Sequence, residues 1–127
     1  MTGTAIPDDL RRFLLTGALT VPHVEAILQL RGGAAELWEA QHLAARLYVG
    51  VNVAARLLSD LCAMGVAKVV EPKSYLYSPA TPELAALLDD LEKAYARNLV
   101  AVTHLIHTAE ERKAHNFAAA FRFRKEP

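Results

Sequence analysis

At 127 residues the chain is sized for one domain with an appended arm, long enough to bury a core without staples. Its single cysteine excludes a disulfide framework or a zinc finger, and 14 basic against 14 acidic residues leave no net charge to attract polyanions from a distance. No apolar run approaches a bilayer-spanning length, and the N-terminus lacks the basic start and apolar block of a secretory signal, so a cytoplasmic protein without membrane contact is expected.

Alanine and leucine dominate the apolar residues, which favours helix over sheet. Pro7-Asp8-Asp9 opens a short helix through Leu15, with acids in its first turn, Leu10, Phe13 and Leu14 at helical spacing, and Gly17 as its stop. A second helix begins near Pro22, buries Val24, Ile27, Leu28 and Leu30, and ends at Arg31 before Gly32-Gly33. Trp38 is a core anchor just before a third helix over residues 39–47.

Tyr48-Val49-Gly50 breaks that helix, and with Gly50 as N-cap a fourth runs from Val51 to about Met64, where Gly65 ends it. Val49, Val53, Leu57 and Leu61, four apart, are its expected inward line, which leaves Asn52, Ala55, Arg56 and Ser59 outward. Cys62, in an apolar stretch, reads as a buried small hydrophobe. Residues 66–70 and 75–78 are rich in β-branched and aromatic side chains, and Glu71-Pro72-Lys73-Ser74 between them fits a type I turn, so a β-hairpin is expected. Tyr75 and Tyr77 share one face of its second strand and cover the core.

Thr81-Pro82-Glu83 supplies an N-cap, a first-turn proline and an acid, opening a long helix to about His107. Thr108-Ala109-Glu110-Glu111 has the form of a capping box and predicts a last helix from there to about Phe121, before a basic tail. Residues 81–110 hold five acids and two bases, whereas residues 111–127 hold five bases and two acids. That tail, with Arg112, Lys113, Arg122, Arg124 and Lys125, can serve phosphates, the acidic helix, or only a helix C-terminus.

Three helices followed by a hairpin, with the stretch "LAARLYVGVNVAARLLSDLCAMGVAKVV" across the break between the second and third, resemble the winged helix-turn-helix domain. With helices added at both ends, the chain is similar to the small bacterial regulators of the MarR and PadR type. The expected fold is mainly α, with an N-terminal helix over residues 1–20, the winged domain over 21–80 and C-terminal helices over 81–127. The resemblance implies a DNA-binding transcriptional regulator whose recognition helix is Val51 to Met64.

On that helix asparagine can bond both edges of adenine and arginine both acceptors of guanine, so Asn52, Arg56 and Ser59 are the expected base contacts. Arg46, Lys68 and Lys73 are the expected phosphate contacts, Lys73 from the tip of the wing. Two departures stand out: Gly50 takes the place of the usual serine or threonine, and Asp60 follows Arg56 by one turn. A solvated helix face is the alternative for these outward residues. A module that docks a regulatory protein partner is the alternative for the domain, and it suits zero net charge better.

Leu84, Leu88, Leu91, Tyr95, Asn98, Val102 and Leu105 alternate four and three apart, a heptad stripe that either pairs with a second copy or packs within its own chain. The first alternative gives a homodimer that reads an inverted repeat. His104, His107, Glu111 and His115 would share a face only on an unbroken helix, and the expected break at Thr108 turns them apart, so no metal is expected. Neither a phosphate loop nor a nucleophile elbow is present, and no enzyme or cofactor is expected.

Overall fold

The structure is a computed structural model and describes residues 6–16 and 19–125, with the backbone alone at residues 117 and 119–125. Among these residues it is mainly helical, with six helices and one two-stranded antiparallel sheet. The chain divides into two compact units, residues 22–92 and residues 1–21 with 93–127. The boundary between these units falls within a helix, after residue 92.

The larger unit holds α2 (Val21–Gly32), α3 (Ala40–Leu47), α4 (Val51–Ala63), β1 (Ala67–Glu71), β2 (Ser74–Tyr77) and the first part of α5 (Pro82–Arg97). Their ends lie within a residue or so of the positions that caps and breakers predict. α3 packs on α4, burying Leu43 and Ala44 from one and Ala54, Leu57, Leu58 and Leu61 from the other. Val53, expected inward, is 48% exposed. A step of four residues overshoots a helical turn by about 40°, so a line of four-residue steps spirals out of the core; the buried set alternates steps of three and one instead.

α4 stops in a Schellman motif. Gly65 takes φ 81°, its N–H donates to the Cys62 carbonyl, and the Val66 N–H reaches back to Leu61. Leu61 and Val66, the positions at which this motif usually carries apolar side chains, are both fully buried. The following hairpin pairs Ala67 with Tyr77, Lys68 with Leu76 and Val69 with Tyr75, then shifts register before Glu71 pairs with Ser74. Every β1 residue after Ala67 is exposed, whereas β2 is buried or half-buried along its length, so β1 is the solvent-facing strand of the hairpin. Its turn is not type I: Lys73 has φ 72°, the value type II requires at this position. Proline at the second position suits either type, so the sequence by itself does not separate them.

The hairpin is held close to its turn. Trp38 and Tyr75 exchange both backbone hydrogen bonds, at 2.7 and 2.8 Å, which adds the α2–α3 connection to β2 as a one-residue third strand. The indole is 1% exposed, stacks on His42 with ring centroids 4.2 Å apart, and donates Nε1–H to the Gly33 carbonyl at 3.1 Å. A Cβ on Gly33 would lie 2.9 Å from Trp38 Cζ2, so glycine is what lets the ring sit there. At the far end of α2, Arg31 donates Nε and Nη2 to Asp89 Oδ1 at 3.0 and 2.8 Å, and its Nη1 lies 2.8 Å from Glu92 Oε1. This ties α2 to α5 beside Tyr77, whose phenol burial pushes up, only partly offset by Arg31.

α5 begins as expected, with Thr81 Oγ1 accepting the Leu84 N–H at 3.0 Å. It ends at Arg97, ten residues short of His107, and Asn98 is the non-helical residue that follows. The Asn98 carbonyl accepts the Val102 N–H, which makes Asn98 the N-cap of a new helix, a position asparagine favours. In the smaller unit this helix, α6 (Leu99–Lys125), packs against α1 (Asp8–Leu15) and buries Val102, Leu105, Ile106 and Ala109 against a side that includes Leu10 and Leu14.

No break occurs at Thr108, and the helix runs past Phe121 to Lys125. A capping box satisfies the amides of a first turn, but here those amides are already bonded within a helix whose buried face continues to Ala109. The expected stop at Gly17 lies outside the described residues.

Replacing Trp38 with alanine should cost about 3–5 kcal/mol in urea denaturation, and Gly33→Ala about 1–3 kcal/mol by overpacking the ring. Because burial favours the neutral phenol of Tyr77, its contribution is complete below a pH of about 10 and is lost as pH rises through the raised value. Unfolding titrations of wild type and Tyr77→Phe should therefore diverge only on the alkaline side.

Candidate functional site

The exposed face of α4 follows from its buried one. With positions 54, 57, 58 and 61 in the core, positions 52, 56, 59 and 63 fall on the opposite line of the helix, and Asn52, Arg56 and Ser59 are all exposed there. Ala55 is exposed beside them. Arg56 carries the one charge among the exposed residues of α4.

Asp60 does not face that line squarely. Its Oδ2 accepts a hydrogen bond from Nε2 of the half-buried His23 on α2, at 2.9 Å. The carboxylate whose nearness to Arg56 weakens the local positive field is thus held against another helix.

α4 opens at Gly50 with φ −69° and ψ 155°, and no side chain caps the helix. Its first-turn amides therefore keep their donors for water or for an anion. Across from this end lies an apolar-walled groove of about 370 Å³ between the start of α3, α4 and the wing, lined by Val51, Ala55 and Tyr75 with Lys73 and Glu39 among its polar residues. The left-handed turn at Lys73 is what brings the lysine to this groove.

The other expected cations are placed differently. Lys68 is exposed on β1 opposite Leu76, and Arg46, exposed on α3, donates Nε to Gln29 Oε1 on α2 at 3.2 Å. Tyr75 and Tyr77 are both half-buried, in agreement with a packing role. Cys62 is half-buried as well, and burial pushes its thiol up, away from the thiolate a nucleophile needs.

Of the stripe on the C-terminal helices, Leu88, Leu91, Val102 and Leu105 are buried within the single chain, and Leu84, Tyr95 and Asn98 are half-buried. The interruption at Asn98 divides the stripe between two helices. His104, His107, Glu111 and His115 do lie along one unbroken helix, contrary to expectation, yet among the described residues no group of three His, Cys, Asp or Glu converges on a point where a metal would bind. Nor is any described helix long and apolar enough to cross a membrane.

Tyr48 was not legible as a site residue. It occupies the left-handed region at φ 58° and ψ 46° as the C-cap of α3, and its side chain is 94% exposed. Glycine is the usual residue there, whereas the nearby Gly50 is the N-cap of the next helix. Val51, Val53, Val69 and Val70 are likewise exposed, which surrounds the start of α4 and the wing with apolar surface. Compared with protein-family models, with curated proteins and with solved structures, the chain matches none.

Since Tyr48 buries almost nothing and sits in a conformation costing an ordinary residue about 1–2 kcal/mol, Tyr48→Gly should stabilise the fold, by up to about 1 kcal/mol after glycine's larger unfolded-state entropy. Thermal unfolding of the variant measures this; a loss of stability would mean that the ring makes contacts its exposure does not indicate.

Proposed function

We propose that the chain is a cytoplasmic winged-helix regulator of transcription that reads double-stranded DNA through α4 and acts as a homodimer on an inverted repeat. The observation that carries the reading is the exposed line Asn52, Arg56 and Ser59, with Lys73 of the wing across a groove from the same helix. These three side chains suit base edges in the major groove, and an α-helix is the element that fits there. The uncapped start of α4 offers amides to a backbone phosphate, and Lys73, Lys68 and Arg46 offer cations.

The Trp38–Tyr75 bridge supports the reading further, because it fixes the wing to the helices. A wing so fixed can present Lys73 to a backbone in register with α4. Zero net charge implies that binding without sequence preference is weak, and that two linked half-sites are needed for useful affinity.

One observation favours a second reading. Tyr48, Val51, Val53, Val69 and Val70 place exposed apolar side chains around the same face, as a surface for a regulatory protein partner would. Salt separates the two: phosphate contacts weaken steeply between about 50 and 200 mM salt, and apolar contacts do not.

Fluorescence anisotropy with a duplex from the gene's own upstream region, beside a random duplex, is the test. The expected outcome is preference for the upstream duplex, with Arg56→Ala and Asn52→Ala each weakening it roughly 5- to 150-fold, equivalent to about 1–3 kcal/mol, while Lys73→Ala weakens both duplexes alike and flattens the salt dependence. Absence of binding to either duplex at low salt would leave the protein-docking reading.

A further inference from the structure

α6 outlasts everything packed on it. Its 27 residues span about 40 Å, whereas α1 spans about 12 Å, and among the residues whose side chains are described the last buried one of α6 is Ala109. From Glu111 to Asn116 every residue is exposed, which covers the whole circumference of the helix, and Ala118 is exposed too. A helix of about 15 residues without a partner is marginal in water.

The distal half has an apolar line of its own. At 100° per residue, positions 114, 117, 118 and 121, which carry Ala114, Phe117, Ala118 and Phe121, fall on one strip of the backbone. That strip is turned by roughly 120° from the one formed by Val102, Leu105, Ile106 and Ala109. It therefore does not continue the face that meets α1, and its partner is a different one.

Charge identifies the partner. Glu110 and Glu111 flank the strip at its N-terminal end and Arg122 and Arg124 flank it at its C-terminal end, with Lys125 beyond. By register, positions 111 and 122 lie on one flank, and positions 110 and 124 on the other. Two copies laid antiparallel across a two-fold axis near position 117 bring each acid end onto the other's basic end, and the two strips onto each other.

We infer that the distal half of α6 is a homodimer interface, formed by antiparallel pairing of two copies with Glu110 and Glu111 of each facing the basic end of its mate. The inference takes up the dimeric part of the proposed function and is independent of the DNA part. It also relieves the stripe over residues 84–105 of that role, since Leu88, Leu91 and Val102 are fully buried inside one chain. An antiparallel pair is self-complementary, as a two-fold interface must be.

The test is sedimentation velocity on the full chain without DNA, at tens of micromolar. Wild type should sediment as a dimer. Glu110→Lys with Glu111→Lys, and separately Arg122→Glu with Arg124→Glu, remove the charge complementarity between the two ends, so each variant alone should be monomeric with unchanged circular dichroism in the folded core. An equimolar mixture of the two should recover a 1:1 dimer. In a Cys62→Ser background, Ala118→Cys should form an intermolecular disulfide and Ala114→Cys should not, because position 118 lies near the axis and position 114 lies away from it.

A monomeric wild type, charge variants that self-associate as tightly as wild type, or crosslinking at 114 as fast as at 118 would each overturn the inference. If the dimer forms as described and DNA is still not bound, only the DNA-reading proposal falls.

Discussion

The paired backbone bonds between Trp38 and Tyr75 are the constraint on which the larger unit depends. A two-stranded hairpin is marginal by itself in water, and here one strand is exposed along nearly its whole length. Pairing at Tyr75 gives β2 a second neighbour and fixes the turn end of the hairpin to the segment between α2 and α3. The buried indole secures that segment in turn, through His42, the Gly33 carbonyl and the space that only glycine leaves. The groove between wing and α4 exists because the hairpin is held there.

Much of this was legible in the chain. Pro22, Gly65, Thr81 and Pro82 mark helix ends through backbone chemistry that operates locally, and α2, α4 and α5 begin or end where those residues place them. The outward set on α4 was legible for the same reason, because helical geometry leaves positions 52, 56 and 59 together whichever inward line is chosen. The inward line is less legible, because a four-residue spacing leaves the core within a few turns and Val53 falls outside it.

What stayed hidden depends on distant parts of the chain. The Trp38–Tyr75 bridge involves one residue on each side, too few to leave a periodic trace. Asn98 and Thr108 both carry cap chemistry, and local signals rank the capping box at Thr108 above a lone asparagine; burial of the face through Ala109 reverses that order. The αL conformations of Tyr48 and Lys73 belong to residues that carry no local preference for them. Both positions lie around the proposed DNA-reading face, where backbone strain is most often retained for a purpose.

The proposed DNA reading makes α4 and the hairpin one recognition surface. Hydrogen exchange of the protein, alone and with an excess of a short duplex at low salt, tests it with a duplex of any sequence, because the phosphate contacts do not require the operator. Slowed exchange confined to the first turns of α4 and the tip of the wing around Lys73 is the predicted result. Unchanged exchange there, or protection only along α6, would contradict it.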